Sequence, residues 1–378
     1  MNKNVFFHRT FVKFGLKAMD LYLRNFVREA YIAHKQRQYM RGADVGRCRR
    51  AIIFLVHSRN SVSGGIMSNI ALARETERLR SLHGADVFVC SYLGNPPLLK
   101  YTKFPNDRTI LNFQALVRRF VPGTEILVHI PEWFVPMFVE REKGLLHTLG
   151  HRCRVNILLQ NIEMAPTRQQ VTALEKIGKV TATTAHRAYS GKRTEERLGC
   201  PVHYLTAWTS TFPYEKRPFA ARKNIIVVSP DAHSEKTEIL SAIKSRLPEF
   251  RFVIVKGLKY VEYRSLVASA KFSLTFGEGL DAYFSEMILS GGVGAAVYND
   301  RFFTPDFASL PFVYSGWDEA VSRFPKDVRA ANNAEEMERI NRIAHQVLDR
   351  YASLELLQNN LATYYSTYFP AHASGVAV

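Results

Sequence analysis

Arg50–Val56 reads RAIIFLV, an unbroken β-branched and aliphatic run. A strand so apolar is buried on both faces, which requires helices above and below the sheet. The loop HSRNSVSGG follows it, and a helix is expected from about Ile66 to Leu82. The pattern then recurs: Asp86–Leu93 (DVFVCSYL), Glu125–Ile130 (EILVHI), Arg154–Leu159 (RVNILL) and Lys179–Thr184 (KVTATT) read as strands, with helical stretches between most of them. Thr209–Lys223 (TSTFPYEKRPFAARK) has two prolines and no periodicity, and reads as a linker. Alternation resumes with a strand at Asn224–Val228, a helix at Ser234–Leu247, a strand at Phe252–Val255, a helix at Val261–Ala270 and a strand at Phe272–Thr275. A helix–strand unit over 282–297 and one long helix from about Ala334 to Tyr368 complete the series.

The expected fold class is therefore α/β, with two Rossmann-like domains facing a central cleft, preceded by an amphipathic helical extension. The boundaries fall at 1–48 for the extension, 49–215 for the first domain, 216–348 for the second, and 349–378 for a helix and tail that cross back to the first domain. At 378 residues the chain is long for a single core, and its 47% hydrophobic and 12% aromatic content supports two. Its four cysteines form no C-x-x-C pair, which argues against a zinc site or a disulfide framework and suits a reducing compartment. No cleavable leader and no apolar run of the roughly 18–20 residues that span a bilayer is visible, so a cytoplasmic location is expected.

The net charge of +17 implies an anionic partner. About half of it lies between Lys3 and Arg50, where twelve basic residues face three acidic ones. In the same segment Phe7, Phe11, Phe14, Leu21, Tyr22, Phe26 and Ala30 recur at helical spacing. A basic amphipathic helix of this kind suits an anionic membrane surface, met through residues 1–42 at the inner face of the plasma membrane. The alternative is a helix packed on its own domain. Nucleic acid is not expected, because the charge concentrates in one helix and no nucleic-acid-binding motif appears.

The stretch Phe276–Val297 (FGEGLDAYFSEMILSGGVGAAV) carries most of the chemistry. A strand ends at Thr275, a glycine-flanked turn holds Glu278, a helix begins near Asp281 or Ala282, and Glu286 lies eight positions after Glu278. The amides of Gly279 and Leu280 at that helix start offer an anion site suited to a diphosphate. This arrangement resembles the E-x7-E motif of retaining GT-B glycosyltransferases, the group 1 (family four) enzymes of bacterial polysaccharide synthesis. Glu278, Gly279, Glu286 and Gly291 stand at matching places, and Leu280 fills an apolar one. The resemblance implies that Glu278 contacts the donor sugar and Glu286 the ribose hydroxyls. It also places Lys236, in SPDAHSEK, on the donor phosphates, while Pro230 falls where the family has an arginine that Lys256 or His233 could replace. Asp281 and Tyr283 depart from the family's Gly and Pro.

In the first half, Gly64 and Gly65 lie between the first strand and its helix, where relatives bring backbone close to donor phosphates or acceptor. His129, in VHIPEW, is a candidate base or sugar-hydroxyl ligand, or else a hydrogen-bonded structural histidine. Trp133 beside it is a candidate stacking surface for an acceptor sugar, or else a core or interface residue. Where many relatives place a histidine at the next strand end, this chain has Gln160 and Asn161. No Asp-x-Asp occurs, so a metal-independent reaction is expected, without cofactor. It would use a UDP- or GDP-linked nucleotide sugar and a glycan or lipid-linked acceptor. An epimerase or a phosphorylase of the same architecture, or a non-catalytic glycan- or nucleic-acid-binding protein, are the alternatives.

Overall fold

The computed structural model describes residues 3–206 and 213–372, with residues 3–22 and Lys143 described by backbone only. Two parallel sheets organise the chain. The first contains β1 (Arg50–His57), β2 (Asp86–Tyr92), β3 (Ile110–Asn112), β4 (Glu125–Pro131), β5 (Arg152–Leu159), β6 (Gly178–Thr184) and β7 (Val202–Tyr204), in the order β3-β2-β1-β4-β5-β6-β7. The second contains β8 (Lys223–Val228), β9 (Arg251–Ile254), β10 (Ala270–Leu274), β11 (Val293–Val297) and β12 (Val313–Tyr314), in the order β12-β11-β10-β8-β9. Every neighbouring pair in both sheets is parallel. Parallel pairing demands crossovers, so helices cover both faces and the strand ends carry the loops.

The short strands β3, β7 and β12 are not legible from composition. Each has only two or three residues and sits toward a sheet edge, where length and apolar content give little signal. The single long helix expected near the C-terminus is instead two, Ala334–Asp349 and Leu354–Tyr368. The break lets the Tyr351 carbonyl accept a hydrogen bond from the Tyr204 hydroxyl at 2.7 Å, and the Ser353 hydroxyl then caps the second helix by accepting from the Leu356 N–H at 3.2 Å. The last helix lies on the first sheet, with the Tyr364 hydroxyl 2.9 Å from Thr181 Oγ1 and the Tyr365 hydroxyl 2.8 Å from Thr76 Oγ1.

The two halves share one apolar cluster. Ile70, Tyr101 and Phe104 from the first meet Val227, Tyr260, Val267 and Met287 from the second. The Tyr260 N–H also donates to the Lys103 carbonyl at 3.0 Å. Of the expected linker, residues 209–212 lie outside the described residues; from Pro213 onward it runs irregularly to a short 3-10 turn at Phe219–Ala221. The N-terminal helix spans Lys3–Gly42, and its last third docks on the first domain through buried Ile32, Gln36 and Met40. No described helix is long and apolar enough to cross a membrane.

Candidate functional site in the interdomain cleft

Residues at the carboxyl ends of β5 and β10 meet across the cleft. Leaving β10, the chain passes Thr275 and Phe276 into a turn at Gly277–Leu280, and the helix Ala282–Leu289 follows. Asp281 is its N-cap. The carboxylate accepts from the Tyr283 and Phe284 amides at 2.8 and 3.1 Å and from the Thr275 hydroxyl. The amides of Tyr283 and Phe284 are thus bound by the protein's own carboxylate, and those of Gly279 and Leu280, the ones expected to face a diphosphate, are not among its partners. The departure from the family at Asp281 therefore has a structural use, and the turn before it is what remains for a ligand. Gly279 is held at φ +89°, and a Cβ there would lie 2.4 Å from the Phe303 ring, so both backbone conformation and packing require glycine.

Glu278 projects from this turn toward the first domain. Its Oε1 accepts a hydrogen bond from Asn161 Nδ2 at 2.8 Å. Burial, and then the nearby charges of Asp281, Asp231, Glu132 and Glu163, push the Glu278 carboxyl up to about 7. Asp281 is likewise raised to about 7, chiefly by burial. Asp231 belongs to the same acidic group, since its Oδ2 would stand 2.9 Å from a Cβ placed on Gly277.

The first domain holds its half of the site through Glu132. This buried carboxylate accepts the Gln160 and Asn161 amides at 3.2 and 2.9 Å, which fixes the loop after β5. Gln160 turns toward the helix Gly64–Arg78 that follows β1. Its Nε2 donates to Asn69 Oδ1 at 2.9 Å and to the Gly65 carbonyl at 3.4 Å, and a Cβ on Gly65 would lie 2.6 Å from Gln160 Oε1. A side chain at position 65 would push the Gln160 amide aside, whereas Gly64 is exposed and a Cβ there would meet nothing within 4 Å. Further cross-cleft contacts are the Arg301–Glu163 ion pair and the packing of Phe302 against His186, with ring centroids 5.2 Å apart.

Lys236 begins the helix Lys236–Ser245 after β8. Its ammonium donates to the Ser229 and Asp231 carbonyls, both at 2.7 Å, and sits 5.0 Å above the Phe276 ring. Two of its three N–H groups thus hold the loop that faces the Glu278 turn. A cavity of about 410 Å³ adjoins Gly277, walled by His233, Asn299 and the stacked Phe276–Trp317 pair. His233 is therefore near the site, while Lys256 is exposed at the end of β9.

Glu286 is buried within its own domain. It accepts from the Tyr260 hydroxyl at 2.9 Å and from the Tyr214 hydroxyl at 3.3 Å. Both hydroxyls bond Oε1, so a ribose hydroxyl taking that oxygen must displace them.

His129 is not in the cleft. It lies mid-strand in β4, paired in register with Phe54 and Asn156, and is wholly buried beneath the C-terminal helix. Asn156 Nδ2 donates to its Nδ1 at 2.9 Å, so Nε2 carries the proton and faces the Tyr365 hydroxyl at 3.1 Å. Burial lowers its pKa to about 3, which keeps the ring neutral. The expectation of a catalytic base is corrected here: the ring has no access to a ligand and instead ties the sheet to the last helix. Trp133 packs on His57 and Phe134. Asn161, Glu132 and Asp231 were not singled out as functional. Of these only Asn161 carried a sequence signal, since it and Gln160 stand at the strand end where the resembled pattern has a histidine.

No protein-family model matches the sequence, and no curated protein matches it. The fold does have solved counterparts. Sucrose-phosphate synthase from Thermosynechococcus elongatus aligns with a TM-score of 0.53 at 8% identity, over 85% of this chain and 99% of that one. The UDP-forming α,α-trehalose-phosphate synthase from Burkholderia vietnamiensis aligns with a TM-score of 0.51 at 10% identity, over 85% and 100%. HepE from Anabaena in complex with UDP-glucose aligns with a TM-score of 0.51 at 11% identity, over 84% and 99%. The chain has the GT-B architecture of these proteins, two Rossmann-like halves closing on a cleft.

Proposed function

We propose that this protein is a glycosyltransferase that moves a sugar from a nucleotide sugar, UDP- or GDP-linked, to a glycan or lipid-linked acceptor. The observation that carries the proposal is Glu278, a carboxyl raised toward neutrality at the junction of the two domains and bonded to Asn161 of the opposite one. In the GT-B fold, the counterpart from Anabaena was solved with UDP-glucose. Ligands of such α/β halves sit beyond the carboxyl ends of the strands, which is where Glu278 and Asn161 meet.

In the proposed reaction Glu278 and Asn161 bind donor-sugar hydroxyls. The turn Gly277–Leu280, Lys236 and His233 face the diphosphate, and Glu286 takes the ribose once the tyrosine hydroxyls withdraw. The bond from the anomeric carbon to the diphosphate oxygen breaks as the acceptor oxygen bonds to that carbon. In this reading the departing phosphate oxygen receives the acceptor proton on the face it leaves, which gives a retained configuration. The chain lacks an Asp-x-Asp, and the proposed reaction needs no metal. A role in cell-surface polysaccharide synthesis at a cytoplasmic membrane face fits the basic N-terminal helix. The test is calorimetric titration with UDP- and GDP-sugars, followed by detection of released nucleoside diphosphate with and without acceptor glycans. Absence of binding by every nucleotide sugar would overturn the proposal.

A further inference from the structure

The N-terminal helix has two apolar sides with different fates. Ile32, Gln36 and Met40 are buried against the first domain, and Gln36 Oε1 accepts the Asn112 N–H at 2.9 Å at the end of β3. Leu23, Phe26, Val27 and Tyr31 are 54%, 61%, 65% and 57% exposed, and Ala30 between them is exposed as well. At 3.6 residues per turn these five form one stripe, on the side of the helix nearly opposite the docked residues. The helix is thus fastened by one side and holds an apolar stripe away from its own protein.

Four large apolar side chains grouped in this way are not the scattered exposure normal for a protein surface. The charges around them select the occupant. Between Leu23 and Gly42 stand Arg24, Arg28, Lys35, Arg37 and Arg41 against Glu29 alone. A second copy of the same helix would bring like charges together, whereas an anionic lipid surface accepts both the cations and the stripe. We infer that the face Leu23, Phe26, Val27 and Tyr31 lies in the interface of an anionic membrane, with the docked end fixing the first domain beside that surface. The side chains of Phe7, Phe11 and Phe14 lie outside those described, and the inference does not use them. It stands independently of sugar transfer, because its readout is vesicle partition without donor or acceptor.

The test uses the full chain. Partition onto vesicles of phosphatidylcholine alone, and of phosphatidylcholine with phosphatidylglycerol, is measured by co-sedimentation at two salt concentrations. Binding is expected only to the anionic vesicles and weaker at high salt, since screening shortens the reach of the cations. Substituting Leu23→Ser, Phe26→Ser and Val27→Ser together should reduce partition at least about tenfold with the melting temperature unchanged, because those side chains leave the domain untouched. Arg24→Gln with Arg28→Gln should reduce it further at low salt than at high salt. Wild-type partition by the triple variant would overturn the inference, as would equal binding to neutral vesicles. So would a dimer, seen by sedimentation velocity, that the triple variant dissociates without any effect on vesicles.

Discussion

Asn161 Nδ2 donates to Glu278 Oε1 at 2.8 Å, joining the loop after β5 of one domain to the turn after β10 of the other. The two side chains are held from opposite sides. Glu132 fixes the backbone of Asn161, and Asp281, Gly279 and Thr275 shape the turn that presents Glu278. A donor sugar in the cleft would find an amide and a carboxyl already aimed at each other, so its hydroxyls could bond to both.

Glu278→Gln should lower transfer by about 100-fold or more, the scale seen when one aimed polar contact to a transition state is lost. The melting temperature should not fall, since the amide can still pair with Asn161. Asn161→Ala should lower transfer by about tenfold, the effect of removing one hydrogen bond of about 1.4 kcal/mol. Steady-state rates of nucleoside diphosphate release check both. Unchanged rates in Glu278→Gln would remove that residue from the site.

Stability should depend on pH through the same carboxyl. Its pKa in the fold is about 7, above the ordinary glutamate value near 4.5. Between those values the folded state holds a proton that the unfolded chain has released. The stabilising effect of that protonation is greatest at low pH and is lost as pH rises through about 7. Melting temperature should therefore decline from pH 5 to pH 8 in the wild type, and decline less in Glu278→Gln. Parallel profiles for the two proteins would show that Glu278 titrates normally.

The tyrosine hydroxyls on Glu286 predict an unusual gain. If a ribose takes their place, Tyr260→Phe should tighten binding of the free nucleoside diphosphate about three- to tenfold, because one competing hydrogen bond of about 1 kcal/mol is gone. Glu286→Ala should weaken binding of the same ligand. Calorimetry distinguishes the cases, and weaker binding in Tyr260→Phe would mean that the hydroxyl supports the site instead of blocking it.

His129→Ala should destabilise the protein by about 2–4 kcal/mol, since it opens a cavity and takes one partner each from the Asn156 amide, left with Thr183, and the Tyr365 hydroxyl, left with Thr76. Denaturant unfolding measures this. The turnover number of the folded fraction should stay within about twofold of wild type; a larger loss would return His129 to the chemistry.

Apart from β3, β7, β12 and the break in the C-terminal helix, the alternation of strands and helices was legible from residues alone, because a strand buried on both faces needs an unbroken apolar run and its crossover helix needs a 3.6-residue period. RAIIFLV and NIIVV show the first, and the glycine turn holding Glu278 was readable because it directly follows the apolar run of a strand. The basic apolar periodicity of the N-terminal helix was likewise a local property. Which side of that helix is covered was not, because Ile32 and Phe26 look alike until a domain is placed beside one of them. His129 and Asn161 differ for the same reason. Both follow apolar runs in strands that point at the cleft, yet His129 falls inside the register of β4 and Asn161 just beyond the end of β5. Register, and the neighbour that a strand end meets across a gap, arise from pairing between distant segments, and only the tertiary structure decides them.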